Sequence, residues 1–208
     1  MRPGKIVCIG QNYRAHIKEL RSEVPEEPVI FLKPASALIG DGEEILVPPN
    51  LGRVDYEAEL ALVIGKRCKN VTMSKAHAHI GRAAVFNDVT ARDVQGKARK
   101  AGLPWALAKG MDTFAPMSEP KAISDVPDLH DLNVRLRSNG ELRQNGFTKD
   151  MIFPVEKVIA YISRFITLEP GDVIATGTPE GVGPIGDGDL VEASIEGVGK
   201  VSNPVRFL

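Results

Sequence analysis

The chain has 208 residues, with 26 Lys and Arg set against 27 Asp and Glu. A formal charge of −1 gives no electrostatic ground for binding nucleic acid or an anionic membrane. A hydrophobic share of 43% with 25% charged residues excludes disorder. The 20 Gly and 15 Pro exceed the average share of about 12% and imply many tight turns between short strands. The two cysteines, Cys8 and Cys68, lack metal-ligand spacing and read as reduced thiols. No apolar run approaches the ~18 residues of a membrane span, and the N-terminal run is too short for a signal peptide. A cytoplasmic protein with no membrane partner is expected. With no repeat and no linker-like stretch, residues 1–208 read as one domain.

Short β-branched or alternating runs predict strands at Lys5–Ile9, Val29–Leu32, Glu44–Leu46 and Tyr56–Ile64. Others are predicted at Ala84–Asn87, Leu132–Ser138, Val173–Thr176, Leu190–Ile195 and Lys200–Val205. Asn139-Gly140 is a two-residue hairpin signal, because the turn needs positive φ. Helices are predicted at Tyr13–Leu20, at Ser74–Arg82 with a serine N-cap, and at Pro154–Phe165. The last places Val155, Val158, Ile159, Ile162 and Phe165 on one core-facing side. Many strands and few helices without βαβ alternation predict an α+β, mostly-β fold.

Within Val54–Ile64, alternation puts Asp55, Glu57, Glu59, Ala61 and Val63 on one face. An acidic face that turns apolar along one strand is odd for a solvent surface. Buried neighbouring carboxylates repel unless a cation neutralises them, and oxygen-only ligands suit a hard ion. The plainer reading is a half-exposed strand whose acids discourage edge pairing. Asp88, at the end of the next strand, could add a third acid. After it, Thr90 and Asp93 have capping-box spacing for a helix carrying Arg92, Gln95 and Arg99 on one face. His16 and Glu19 are three apart, so on a helix the carboxylate can orient the imidazole as a general base; a surface His–Glu pair is the plainer reading. His77, His79 and His130 receive no role. Gly181-Val-Gly-Pro-Ile-Gly186 fits a dinucleotide-loop pattern, but a turn and a strand follow it instead of a helix, so nucleotide binding is rejected.

Five fragments together resemble the fumarylacetoacetate hydrolase family, in particular its short, single-domain acylpyruvase-like members. They are Gly10-Gln-Asn-Tyr-Arg-Ala-His16, Phe31-Leu-Lys-Pro34, Asp55-Tyr-Glu-Ala-Glu-Leu60, Asn87-Asp-Val-Thr-Ala-Arg-Asp-Val-Gln95 and Ala175-Thr-Gly-Thr-Pro179. The resemblance implies a mixed β-sheet roll with a few helices, usually a homodimer. It implies Mg²⁺ (or Mn²⁺) held by Glu57, Glu59 and Asp88. It also implies a catalytic His16–Glu19 pair on a mobile lid, residues 11–25, with Lys109 near the metal. Arg92, Gln95 and Thr178 match positions that hold the carboxylate and oxo groups of a small-molecule oxo-acid. The implied reaction is hydrolysis of the C–C bond of 2,4-dioxo acids such as acetylpyruvate or fumarylpyruvate, giving pyruvate and a carboxylic acid. Alternatives are isomerisation of 2-hydroxyhepta-2,4-diene-1,7-dioate, decarboxylation of oxaloacetate, or a non-catalytic metal-binding scaffold. The chain departs from some relatives at Asp55-Tyr56, where they carry His-His, and at Gln11, where they carry Arg.

Overall fold

The computed structural model describes residues 2–19 and 22–208. The chain begins with β1 (Ile6–Gly10) and α1 (Arg14–Glu19), followed by β2 (Val29–Lys33), β3 (Leu38–Ile39) and β4 (Ile45–Val47). Next come β5 (Val54–Tyr56), β6 (Ala58–Ile64), α2 (Met73–Ala76), β7 (Ile80–Asn87), β8 (Thr90–Ala91) and α3 (Arg92–Lys100). α4 (Ala106–Lys109), β9 (Ala115–Pro116), β10 (Lys121–Ala122), β11 (Asn133–Ser138), β12 (Glu141–Phe147) and α5 (Val155–Phe165) follow. The chain closes with β13 (Val173–Ala175), β14 (Gly183–Pro184), β15 (Leu190–Ile195) and β16 (Gly199–Phe207).

A six-stranded mixed sheet runs β10-β7-β6-β13-β1-β2, and a five-stranded sheet runs β12-β11-β15-β16-β4. The second packs on the first through β11, β15 and β16 against β6 and β7. Tyr56, Ala58, Leu60, Leu62 and Ile64 enter the large core between the sheets, while Ala61 and Val63 enter a smaller cluster with Ile6, Cys8, Ala84 and Phe86. The predicted alternation is therefore present. Because β6 lies mid-sheet between β7 and β13, its acids do not guard an edge. Val155, Val158, Ile159 and Ile162 of α5 are buried, each burial stabilising by roughly 1.5–3 kcal/mol.

The structure corrects several expectations. The strand predicted at Tyr56–Ile64 is interrupted at Glu57, which separates β5 from β6. The helix predicted at Ser74–Arg82 stops after Ala76, passes through a 3₁₀ turn at His77–His79, and gives way to β7 at Ile80. Gly81 explains the switch: its backbone packs so closely on Gly65 that a Cβ would come within 2.7 Å of the Gly65 Cα. Thr90 and Asp93 form no capping box. Thr90 belongs to β8 and donates to the Asp88 carbonyl at 2.8 Å, while Asp93 accepts from the Arg53 amide at 3.1 Å. Phe165 is 61% exposed, set edge-on against Tyr161 rather than in the core. The Tyr13–Leu20 helix is seen as α1, and its expected last residue lies outside the described residues. So do residues 20 and 21 of the expected lid. Asn139 and Gly140 take φ of 53° and 80°, as the β11–β12 hairpin requires. Gly183–Pro184 pairs antiparallel with β5, so the glycine-rich loop opens no helix. No helix among the described residues is long and apolar enough to cross a membrane.

Candidate metal centre and catalytic cleft

The break in the β5–β6 run creates the site. The Glu57 amide turns aside to donate to Asn87 Oδ1 at 2.9 Å, and the Asp88 amide donates to the Glu57 carbonyl at 2.8 Å. Glu57 and Asp88 are thereby tied together where the β6–β7 ladder ends, at the Ala58–Asn87 pair. Glu59 points to the same side, and the Gly177 amide donates to its Oε2 at 2.8 Å. Gly177 is required there: its φ is 99°, and a Cβ would meet the Asn12 Cβ at 2.7 Å. The result is one oxygen each from Glu57, Glu59 and Asp88, all within 4.8 Å of one another and all buried.

Three cations surround this cluster, Lys109 and Lys33 buried and Arg92 partly so. Lys109 Nζ, at the end of α4, donates to Glu57 Oε2 at 2.8 Å and to Asp88 Oδ2 at 2.6 Å. Arg92, the first residue of α3, donates through Nε to Asp55 Oδ2 at 2.7 Å, through Nη1 to Gln95 Oε1 at 2.7 Å, and through Nη2 to Glu57 Oε1. Lys33 Nζ donates to the carbonyls of Val89 (3.0 Å), Phe114 (2.8 Å) and Lys109. It lies 2.7 Å from Asp88 Oδ1 as well, but its hydrogens are committed to the three carbonyls. Asp88 Oδ1 is left with charge contact and no aligned donor.

The electrostatics divide the three acids. Burial alone would raise Glu57, but the Lys109 and Arg92 charges outweigh it and hold this carboxyl well below the usual carboxylate range. Glu59 goes the other way. Burial, then the charges of Asp88 and Glu57, push it well above that range, with only partial relief from Lys109 and the Gly177 amide. Burial would lower Lys109, yet Asp88 and Glu57 keep it protonated and raised. An all-oxygen donor set, a carboxyl strained by its neighbours and an undirected Asp88 oxygen together fit a hard divalent cation. Glu57, Glu59 and Asp88 would hold it.

All the predicted site residues except Glu19 line one cleft: His16, Glu57, Glu59, Asp88, Arg92, Gln95, Lys109 and Thr178. His16 sits on α1, buried, with Nδ1 3.0 Å from Glu19 Oε2. Glu19 Oε1 also accepts from the Gly181 amide at 3.2 Å, which ties α1 to the loop after β13. Thr178 is less free than its motif suggests. Its hydroxyl donates to the Ala58 carbonyl at 2.8 Å and accepts from Gln144 Nε2 at 2.8 Å, leaving only acceptor capacity. Arg92 has committed three of its five N–H groups and retains two.

Sequence reasoning missed Lys33, Asp55 and Gln144. Lys33 stood in the Phe31-Leu-Lys-Pro34 fragment, and a lysine inside an apolar strand was its signal. Asp55 lies on the acidic face but is consumed by Arg53 (2.6 Å) and Arg92. Gln144, whose Oε1 accepts from the Ala58 amide at 2.9 Å, carried no signal.

The fumarylacetoacetate (FAA) hydrolase C-terminal family model matches residues 5–206. The chain belongs to this family. It is 52% identical over 204 residues to the mitochondrial oxaloacetate tautomerase FAHD1 of Arabidopsis thaliana, covering 97% of this chain and 91% of that protein. The crystal structure of fumarylpyruvate hydrolase from Pseudomonas aeruginosa, in complex with Mn²⁺ and pyruvate, is similar at a TM-score of 0.95 and 34% identity, covering 99% of this chain and 91% of that one. A 2-hydroxyhepta-2,4-diene-1,7-dioate isomerase from Mycobacterium marinum is similar at a TM-score of 0.88 and 42% identity, covering 100% and 76%. The mostly-β fold with several sheets and few helices is that of the family's hydrolases and isomerases.

Proposed function

We propose that this protein is a divalent-metal-dependent hydrolase of acylpyruvates, cleaving the C3–C4 bond of a 2,4-dioxo acid to pyruvate and a carboxylic acid. The observation that carries this reading is the His16–Glu19 pair bordering the cleft that holds the three-carboxylate cluster. Bond cleavage by water needs a base, whereas isomerisation needs only proton shuttling. A Mg²⁺ or Mn²⁺ ion bound by Glu57, Glu59 and Asp88 supplies Lewis acidity toward the oxo-acid end of the substrate.

The side chains have the following parts. Glu19 engages His16 Nδ1, which leaves Nε2 to take a proton from water as its oxygen attacks the C4 carbonyl. The C3–C4 electron pair leaves with the pyruvate half, which then gains a proton. Lys109 offsets the negative charge that develops beside it. The two uncommitted N–H groups of Arg92, with Gln95, orient the carboxylate and oxo groups, and Thr178 offers an acceptor.

A second reading has its own support, the 52% identity to an oxaloacetate tautomerase. A panel of acetylpyruvate, fumarylpyruvate, oxaloacetate and 2-hydroxyhepta-2,4-diene-1,7-dioate, followed with and without Mg²⁺, separates the two. Release of pyruvate from the acylpyruvates at the highest kcat/KM supports hydrolysis. Enol–keto conversion of oxaloacetate without acylpyruvate cleavage overturns it in favour of tautomerisation.

A further inference from the structure

Of the four histidines only His16 lines the cleft, and the fold brings two of the others onto a single carboxylate. His130 Nε2 lies 3.2 Å from Glu156 Oε1, and His77 Nδ1 lies 3.5 Å from the same oxygen. The three residues come from three separate segments. His77 opens the 3₁₀ turn that follows α2, Glu156 sits in the first turn of α5, and His130 belongs to the loop before β11.

Each member is placed by the fold rather than by the cluster itself. α2 packs on α5, which sets His77 beside the start of that helix. Leu129 and Leu132 are buried and anchor the loop on either side of His130, whose amide donates to Asp128 Oδ1 at 2.9 Å. Glu156 stands where the N-terminal amides of α5 favour a negative charge. The nearby acid Asp131 turns away to Lys149 at 3.0 Å, and the His79 ring turns to the Lys66 carbonyl at 3.1 Å. The Glu156 side chain is only 19% exposed, while the His77 and His130 side chains are 59% and 45% exposed.

Two imidazoles on one carboxylate oxygen form a donor set that the cleft floor does not offer. Glu57, Glu59 and Asp88 present oxygen alone, which suits a hard ion, whereas two nitrogens and an oxygen suit a borderline ion such as Zn²⁺. Zinc bonds of about 2.0–2.1 Å at tetrahedral angles set neighbouring donors roughly 3.3 Å apart. The two N···O separations fall on either side of that spacing. The three donor atoms are not yet gathered within 4.8 Å of one another, so closing the set requires the rings to turn toward each other. Their exposure leaves them room to turn.

We propose that His77, His130 and Glu156 form a second metal site, one that takes Zn²⁺ in preference to Mg²⁺, with water completing the shell. The bound ion replaces the two N···O contacts with bonds to metal and staples α2, α5 and the loop before β11 together. The site is independent of the reaction assigned to the cleft.

The test titrates Zn²⁺ calorimetrically into Mg²⁺-saturated protein, comparing the wild type with His77→Ala, His130→Ala and the double variant. Both histidines lie on the surface, so these variants fold, and Mg²⁺-supported turnover should match the wild type. Each single substitution should weaken Zn²⁺ binding by at least about tenfold, since partners that only orient metal ligands are already worth about 10- to 100-fold. The double variant should lose this binding altogether. Zn²⁺ should also raise the thermal unfolding midpoint of the wild type and not that of the double variant, because the ligands meet only in the folded chain. Absence of Zn²⁺ uptake by the Mg²⁺-saturated wild type overturns the proposal. Equal Zn²⁺ affinity and equal midpoint shifts in the wild type and the double variant overturn it too, because the ion then sits elsewhere.

Discussion

The floor of the cleft and the helix that borders it are built on opposite terms. Glu57, Asp88, Lys109, Arg92 and Lys33 are buried or nearly so, and each has two or more partners drawn from different strands and turns. The segment carrying His16 and Glu19 is a six-residue helix, and this pair is anchored by one His–Glu contact and one amide from Gly181. Such a short helix is not stable by itself and depends on what it packs against. The difference teaches that charge position is fixed by the sheet, while the proposed base is carried by a short helix that owes its shape to its surroundings.

The largest expected effect breaks the floor. Lys109→Met leaves the Glu57 and Asp88 carboxylates buried without their shared cation, which should cost about 3–5 kcal/mol of stability. Urea unfolding should show a lower midpoint at unchanged slope, and a wild-type midpoint would refute the pairing. Next in size is the helix. His16→Ala should lower kcat by about 10²- to 10⁴-fold, with stability held within about 1 kcal/mol. Glu19→Gln should lose roughly 10- to 100-fold, as expected for a group acting through another. Equal stability losses in His16→Ala and Lys109→Met would erase the contrast.

A third prediction concerns proton linkage within the floor. Glu59 is pushed up by burial and by Asp88 and Glu57, so it holds its proton in the folded protein beyond the pH where an ordinary carboxyl has lost it. An incoming cation must expel that proton, and metal affinity should rise with pH by up to about tenfold per unit until Glu59 ionises. Titration calorimetry in buffers of different ionisation enthalpy should reveal the released proton, and a pH-independent affinity would contradict the account. Folding linkage has opposite signs for the two glutamates. The depressed Glu57 stabilises above the ordinary range near about 4.3, a contribution lost as pH falls. The raised Glu59 stabilises at low pH, and its contribution declines as pH rises toward its folded value. The smallest effect is at Cys8, buried in the smaller cluster on the Glu59 side of the sheet, whose thiol is raised by burial and then by Asp88. A thiol reagent at mildly alkaline pH should label it only at the rate of unfolding, and rapid labelling would show that the floor opens.

Much of this was readable from residue order because alternation is a strong rule. A seven-residue buried strand with Glu at its start puts the acids and the apolar run on predictable faces. The place of Asp88 at the end of the next strand and of Arg92 on a helix face is legible from local pattern, whereas Lys109 is marked only by the resemblance to a known family. What stayed hidden depended on tertiary contacts. The helix proposed at Ser74–Arg82 was a fair local reading, overridden by pairing of β7 with β6 and by the Gly65–Gly81 approach. The break at Glu57 required Asn87, thirty positions away in the chain, to accept its amide. Lys33 and Gln144 hold the site through backbone carbonyls and amides that no sequence pattern marks.

The central claim, that a carboxylate-bound divalent ion and His16 together cleave acylpyruvates, is tested most directly by acetylpyruvate turnover in EDTA-treated protein. The account predicts loss of pyruvate formation, recovery on adding Mg²⁺ or Mn²⁺ to the wild type, and no comparable recovery in His16→Ala. Undiminished turnover by the metal-stripped wild type, or full recovery in His16→Ala, would contradict it.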